Sequence, residues 1–468
     1  MQHSIDEHLD KPRATAVLSF MPIERPSFQD WLGAQVHRED MIGSIARQKV
    51  TQIEKVKALG FDCWLAGLVA GGVLGLVVDD ARREYARCLE ELMASGHSES
   101  WPLSLHNQPN DEEQSARWEK HRTEPHVSFE KFHHELHKAL RKRVERVCRL
   151  YLDTCHWVRL RDVILGRPAA PVYVALLAKL RELKASDKIL CPLSYPMYHE
   201  LAKQSDDKTR RTMARLMDEL SEGICIQPPN QLERIELKRQ MLRAVLGPGA
   251  PDVGEWLWVK ASGVFGEMIP IPKANWTPEE VTLIQKVVFE GLWNLPISAV
   301  AEFYQEKTAA NDLTSLAEAY NTDARKYREQ KVPFERVWHE EMANLFQLLR
   351  KNHFVNTAKE VWDQFPDECA MVHDKGMSMQ PDPMCLATLQ IKARLHAAFF
   401  VSSGAMKFES NDLIDALHAS VSLPYFDAVL LERPLAIRLK TKPLELDKAY
   451  SAKIMWDPSE LLQWLTTK

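Results

Sequence analysis

Residues 147–157 read VCRLYLDTCHW, and the fold hangs on them. Cys148 to Leu152 form a short strand-like run that stops on an acid, Asp153. Upstream, SFEKFHHELHKALRKRVERV (128–147) has helical periodicity, with Ser128 placed as an N-cap. Downstream, helical stretches at 156–165 and 171–185 lead to a second strand, KILCPL (188–193). Ser194 and Pro196 open the next helix, which carries Glu200. RRTMARLMDELSEG (210–223) ends at Gly223, a suitable C′ residue, and ICIQPP (224–229) reads as a third strand. Strand, helix, strand, helix, strand predicts an α/β fold with a parallel, doubly wound sheet flanked by helices.

From 231 to 405 the pattern turns helical, in ERIELKRQMLRAVL (233–246), TPEEVTLIQKVVFEGLW (277–293), VPFERVWHEEMANLFQLLRKN (332–352) and CLATLQIKARLHAAFFVSS (385–403). The sheet resumes at Ala428–Leu431, after the helix NDLIDALHASV (411–421). Four regions follow: a helical N-terminal region (1–125), the first part of an α/β domain (126–230), a large helical insertion (231–405) and the last part of the domain (406–468). In the first region, residues 35–95 look helical and Gly96–Pro125 reads as a polar connector. Trp64–Val78 (WLAGLVAGGVLGLVV) is apolar for fifteen residues, whereas a spanning helix needs about 20. It is expected to be a closely packed buried helix, and no integral membrane insertion is expected.

The chain has 468 residues, 60 Lys and Arg against 65 Asp and Glu, and a net charge of −5. No global basic footprint for nucleic acid exists, so a polyanion must be held by local patches or by metal. Two basic runs qualify: Lys138, Arg141, Lys142, Arg143, Arg146 and Arg149, and Lys208, Arg210, Arg211 and Arg215. Eight scattered cysteines without a C-x-x-C pair suit reduced thiols in a cytoplasm. The N-terminus lacks the features of a signal peptide, so a cytoplasmic location is expected.

Asp153 and Glu432 each follow a strand, at the sheet edge where open α/β folds bind ligands. Glu200 sits early in the helix after the second strand. Asp412, Asp415 and His418 are three apart and share one helical face, while Leu413, Leu417 and Val421 share another. Carboxylates brought close repel unless a proton or cation intervenes, and Mg²⁺ and Mn²⁺ favour such oxygen ligands. Taken singly, Asp153 also reads as a helix cap and Glu200 as a solvated side chain. His199-Glu200 lacks the second histidine of H-E-x-x-H, because position 203 is Lys. His133, His134 and His137 read as a solvated histidine-rich helix.

The series resembles the PIN domain family of ribonucleases. The matching motifs are LYLDT (150–154), YHELAK (198–203), the D-x-x-D-x-x-H of Asp412, Asp415 and His418, and the segment from Pro424-Tyr425-Phe426-Asp427 to Glu432. The resemblance covers about 147–230 and 405–445. It implies a PIN-like fold and a metal-dependent endoribonuclease, often a toxin or defence effector, that hydrolyses RNA with a metal-activated water. Asp153, Glu200, Asp415 and Glu432 are the implied catalytic residues and metal ligands, with Asp412 and Asp427 as further ligands and Mg²⁺ or Mn²⁺ as cofactor. RNA is the implied substrate, with an inhibitory protein and a second copy of the chain as candidate partners. The last acid is Glu where the family has Asp, and Leu430 and Leu431 replace its Ser/Thr neighbourhood. Those departures define the alternative, an inactive PIN-like scaffold for RNA binding or protein interaction.

Overall fold

The computed structural model describes residues 111–265, 277–304, 314–374, 382–402 and 407–468. The helices expected over 35–95, the apolar run Trp64–Val78 and the connector from Gly96 to Asn110 lie outside the described residues. Helix α1 (Asp111–Arg122) corrects the rest of that connector. DEEQSARWEKHR has no glycine or proline and is rich in good helix formers. It has no apolar stripe because its docking is polar: Lys120 Nζ and His121 Nε2 each lie 2.7 Å from the Glu290 carboxylate. Helix α2 (Phe129–Glu145) begins as expected, with the Ser128 hydroxyl accepting from the Lys131 amide at 3.2 Å.

Strand β1 (Cys148–Leu152) then enters the core, its last three residues buried. Helices α3 (Thr154–Ile164) and α4 (Pro171–Ala185), strand β2 (Ile189–Leu190), helices α5 (Tyr195–Ala202) and α6 (Asp207–Ser221), and strand β3 (Ile224–Ile226) follow in the expected alternation. β2 is shorter than KILCPL because Pro192 has no N–H for a ladder. Beyond that proline the chain still pairs: the Leu193 amide donates to Ile224 O at 2.9 Å, and the Ile226 amide donates to Leu193 O at 2.8 Å. Glu222 and Gly223, at φ 58° and 66°, make the left-handed turn from α6 into β3.

The helical region comprises α7 (Pro229–Leu246), α8 (Pro278–Trp293), α9 (Ile297–Tyr304), α10 (Thr314–Glu329), α11 (Phe334–Leu349), α12 (Val355–Gln364), α13 (Pro366–Asp374) and α14 (Ala387–Val401). It also holds one strand that its helical patterns did not announce, β4 (Trp258–Lys260), antiparallel to β3. Helix α15 (Ser410–Ser422) returns the chain to strand β5 (Ala428–Leu430). Helix α16 (Arg433–Lys440), the short α17 (Leu446–Ala449), strand β6 (Lys453–Met455) and helix α18 (Pro458–Leu465) come last.

The result is a mixed α/β architecture, mainly helical, around a four-stranded sheet of order β2-β1-β5-β6, parallel throughout. Helices cover it, so Leu150, Tyr151, Leu152, Val429 and Leu430 are fully buried and the strands read as unbroken apolar runs. From β1 the chain winds outward through β2 towards β3; it then returns to β5 and winds the other way to β6. β1 and β5 therefore flank the topological switch point, the place at the strands' carboxyl ends where open α/β sheets bind their ligands.

The helical region does not form a separate unit; Asp111–Lys468 fold together. Leu237, Met241, Val337, Leu389, Ala393 and Phe400 build a second apolar core, in which α14 packs against α10, α11 and α15. A buried polar tie joins this core to the chain before β5. Glu236 of α7 accepts hydrogen bonds from the Tyr425 hydroxyl, the Thr388 hydroxyl at 2.9 Å and the Thr388 amide at 3.1 Å. α15 packs on α14 and α10 as part of this core. Among the described residues no helix is long and apolar enough to cross a membrane, and the six described cysteines are unpaired.

Candidate metal centre

Asp153 occupies the N-cap position of α3, yet its side chain makes no cap hydrogen bond. Its backbone amide donates to Leu430 O at 2.9 Å, extending the β1–β5 ladder. Its carboxylate is turned across the switch point, where Oδ2 accepts from the Glu432 amide at 3.2 Å. Only 4 % of the residue is exposed.

Facing it is His418 of α15. Nε2 lies 3.8 Å from Asp153 Oδ1 and 3.3 Å from Glu200 Oε2. The ligand atoms of Asp153, Glu200 and His418 all fall within 4.8 Å of one another, a spacing that can enclose one metal ion. The other ring nitrogen is engaged: Nδ1 is 2.5 Å from the Tyr151 hydroxyl, itself 2.8 Å from the Ser194 hydroxyl. Tyr151 comes from β1 and Ser194 from the N-cap of α5, where its hydroxyl makes no cap hydrogen bond. The chain Ser194–Tyr151–His418 fixes the ring and aims Nε2 at the two carboxylates.

Asp415 and Glu432 complete the acidic rim. Burial, followed by the nearby charges of Asp153, Glu432 and Asp412, pushes the Asp415 carboxyl up to about 7, against relief from His418. Burial together with Asp153 and Glu200 likewise raises Glu432 above its ordinary value. Burial raises the Glu200 carboxyl too, but the hydrogen bond and charge of His418 outweigh it and hold that group below the usual range. For His418 the balance runs the other way: burial disfavours the charged ring, while Asp153, Glu200 and Asp415 outweigh it and raise its pKa to about 9. Two acids thus meet at one imidazole, and the charges of Asp415 and Glu432 also act on it. The protonated ring relieves part of their repulsion and a divalent cation in its vicinity would relieve more.

Two expected ligands point elsewhere. Asp427 precedes β5 and therefore sits at the opposite end of the strand from Glu432. Its Oδ1 accepts from Arg149 Nη2 at 2.7 Å, and its Oδ2 accepts from Arg149 Nε at 3.0 Å and the Arg149 amide at 2.7 Å, a bidentate pairing that ties β5 to β1. Asp412 closes a capping box at the start of α15, accepting from the Glu409 amide at 2.8 Å, and Arg438 lies 3.5 Å from its other oxygen. Both expectations are corrected: these acids hold strands and a helix end in place. Asp412 acts on the cluster only through its charge.

The basic runs are largely neutralised at home. Arg141 pairs with Glu145 and Asp252, Arg143 with Asp187 and Glu222, Arg149 with Asp427, and Arg210 and Arg211 with Asp207. The histidines of α2 are not solvated as a group, since the buried His137 Nδ1 bonds with Trp258 O at 3.2 Å and His133 packs on Trp256 and Phe289. Of the central groups, His418 was legible as a face-sharing residue of D-x-x-D-x-x-H, although its role as the meeting point of Asp153 and Glu200 was not. Tyr151 and Ser194 carried no signal, being an apolar strand residue and a helix cap by pattern. Comparison with family models, with curated proteins and with solved structures returns no match.

Proposed function

We propose that this chain is a PIN-like, metal-dependent endoribonuclease with its reaction centre at the β1–β5 switch point. The observation that carries the reading is the convergence of Asp153, Glu200 and His418 on one point at the strands' carboxyl ends, with Asp415 and Glu432 beside them. These come from residues up to 279 positions apart, and like charges gathered about the buried Asp153 are costly unless a proton or a cation relieves them. Two carboxylates this close suit a divalent ion.

Such an ion, when bound, supplies a polarised water and charge stabilisation at the leaving oxygen of a phosphodiester. Asp153 and Glu200 would hold it. Asp415, whose carboxyl the surrounding burial and charge push up to about 7, would be the group to take a proton from an attacking water and return it to the leaving group. RNA is the proposed substrate class by the PIN resemblance, with Mg²⁺ or Mn²⁺ as the expected ion.

The test is cleavage of labelled single-stranded and structured RNA by the full chain with Mn²⁺ or Mg²⁺, comparing wild type with Asp153→Asn and Asp415→Asn. Cutting that depends on metal and falls by roughly a hundred-fold or more in both variants supports the reading. Metal-dependent cutting that survives both substitutions overturns it. Metal binding with no cleavage of any RNA would favour the scaffold alternative instead.

A further inference from the structure

We infer that His418 is a direct metal ligand through Nε2, and that the centre therefore selects a borderline transition dication of the Mn²⁺, Fe²⁺ or Zn²⁺ type over Mg²⁺. This rests on the proposed reaction centre but goes beyond its acidic ligand set. The geometry speaks for the ring. It is 1 % exposed and cannot swing out to solvent, Tyr151 takes its Nδ1 side at 2.5 Å, and Nε2 hydrogen-bonds Glu200 at 3.3 Å with Asp153 3.8 Å away, so a dication bound between them would take the place of the Nε2 proton, which leaves to solvent. A ligating imidazole characteristically has its second nitrogen held by a further polar group, and the Tyr151–Ser194 pair supplies one.

The preference among ions follows from ligand chemistry. Mg²⁺ is hard, keeps most of its waters and favours oxygen donors in a near-ideal octahedron. Imidazole nitrogen is a softer donor that suits Fe, Zn and the later first-row ions, and Mn²⁺ accepts a mixture of nitrogen and oxygen. One nitrogen and two buried carboxylate oxygens make a site that Mg²⁺ enters at a disadvantage.

Mn²⁺ alone is the probe, bound to the full chain and read by pulsed electron paramagnetic resonance. The expected spectrum carries ¹⁴N modulation from a coordinated imidazole, which His418→Asn abolishes while weakening Mn²⁺ binding about 10- to 100-fold. Mg²⁺ is expected to compete with Mn²⁺ only at about ten-fold or greater excess. Tyr151→Phe keeps the ring and serves as the control should His418→Asn fail to fold; it retains the ¹⁴N signal and binds Mn²⁺ more weakly. Absence of ¹⁴N modulation from a Mn²⁺-loaded protein overturns the inference and leaves His418 an internal counter-ion. The two readings fail separately: ¹⁴N coupling without RNA cleavage sinks the reaction, whereas cleavage without ¹⁴N coupling sinks the ligand.

Discussion

Asp415→Asn should make the metal-free protein more stable while it removes activity, and the structure sets the size of the effect. The Asp415 carboxyl rises from 3.8 to about 7 on folding, first through burial and then through the charge of Asp153. A folded-state value raised above the unfolded one means that the fold binds the extra proton between those limits. Its stability therefore falls as pH climbs from about 4 to about 7, and the full cost stands above that window. At about 1.4 kcal/mol per pH unit, charging this group in the fold costs about 4 kcal/mol near pH 8. Asparagine removes the charge but leaves a partly buried amide short of partners, which returns roughly 1–3 kcal/mol. The net expectation is a gain of about 1–3 kcal/mol near pH 8, shrinking by more than half near pH 5. Urea denaturation in chelator, followed by circular dichroism at both pH values, measures it. Saturating Mn²⁺ should shrink the gain, since a cation bound beside Asp415 relieves the charge that the substitution removes. A variant no more stable than wild type in chelator near pH 8, or a gain that does not shrink towards pH 5, would refute the placing of Asp415 in a like-charge cluster.

Three further outcomes follow from other parts of the fold. Asp427→Ala should destabilise the protein by about 1–3 kcal/mol, because Arg149 loses its bidentate partner, and should leave Mn²⁺ affinity unchanged by calorimetry; a lost Mn²⁺ site would restore Asp427 as a ligand. Burial raises Glu236 from 4.5 to about 7, so its share of stability should fall by up to about 3 kcal/mol as pH rises through that window. Glu236→Gln should flatten that part of the stability–pH curve, and an unchanged curve would contradict the assignment. Tyr151→Phe strands the His418 Nδ1 and the Ser194 hydroxyl in a buried site, and a loss of about 1–3 kcal/mol in chemical denaturation is expected; no loss would mean that water replaces the phenol.

The elements from 128 to 226 were legible because each strand is buried on both faces and so reads as an apolar run, while each helix carries a start or stop residue. β4 and β6 escaped that reading. WVK and KIM are three residues long, and so short a segment has no periodicity to detect. α1 escaped for the opposite reason, since its partners are Glu290 and other polar groups, which leave no apolar stripe. Asp427 shows where pattern misleads: an acid before a strand and an acid after it look alike in sequence, yet the strand carries them to opposite ends of the sheet.

What the sequence by itself determined is the alternation of strands and helices and the stationing of Asp153, Glu200, Asp415 and Glu432 near the strand ends, because burial and periodicity are local properties of the chain. Only the tertiary structure decided which groups meet. His418 reaches Glu200 across 218 residues because α15, packed on α14 and α10, brings it to the switch point. The Asp153 carboxylate leaves its own helix end for that point because β5, with the Glu432 amide just beyond it, lies alongside β1. Contacts of that range follow from packing, and no spacing along the chain records them.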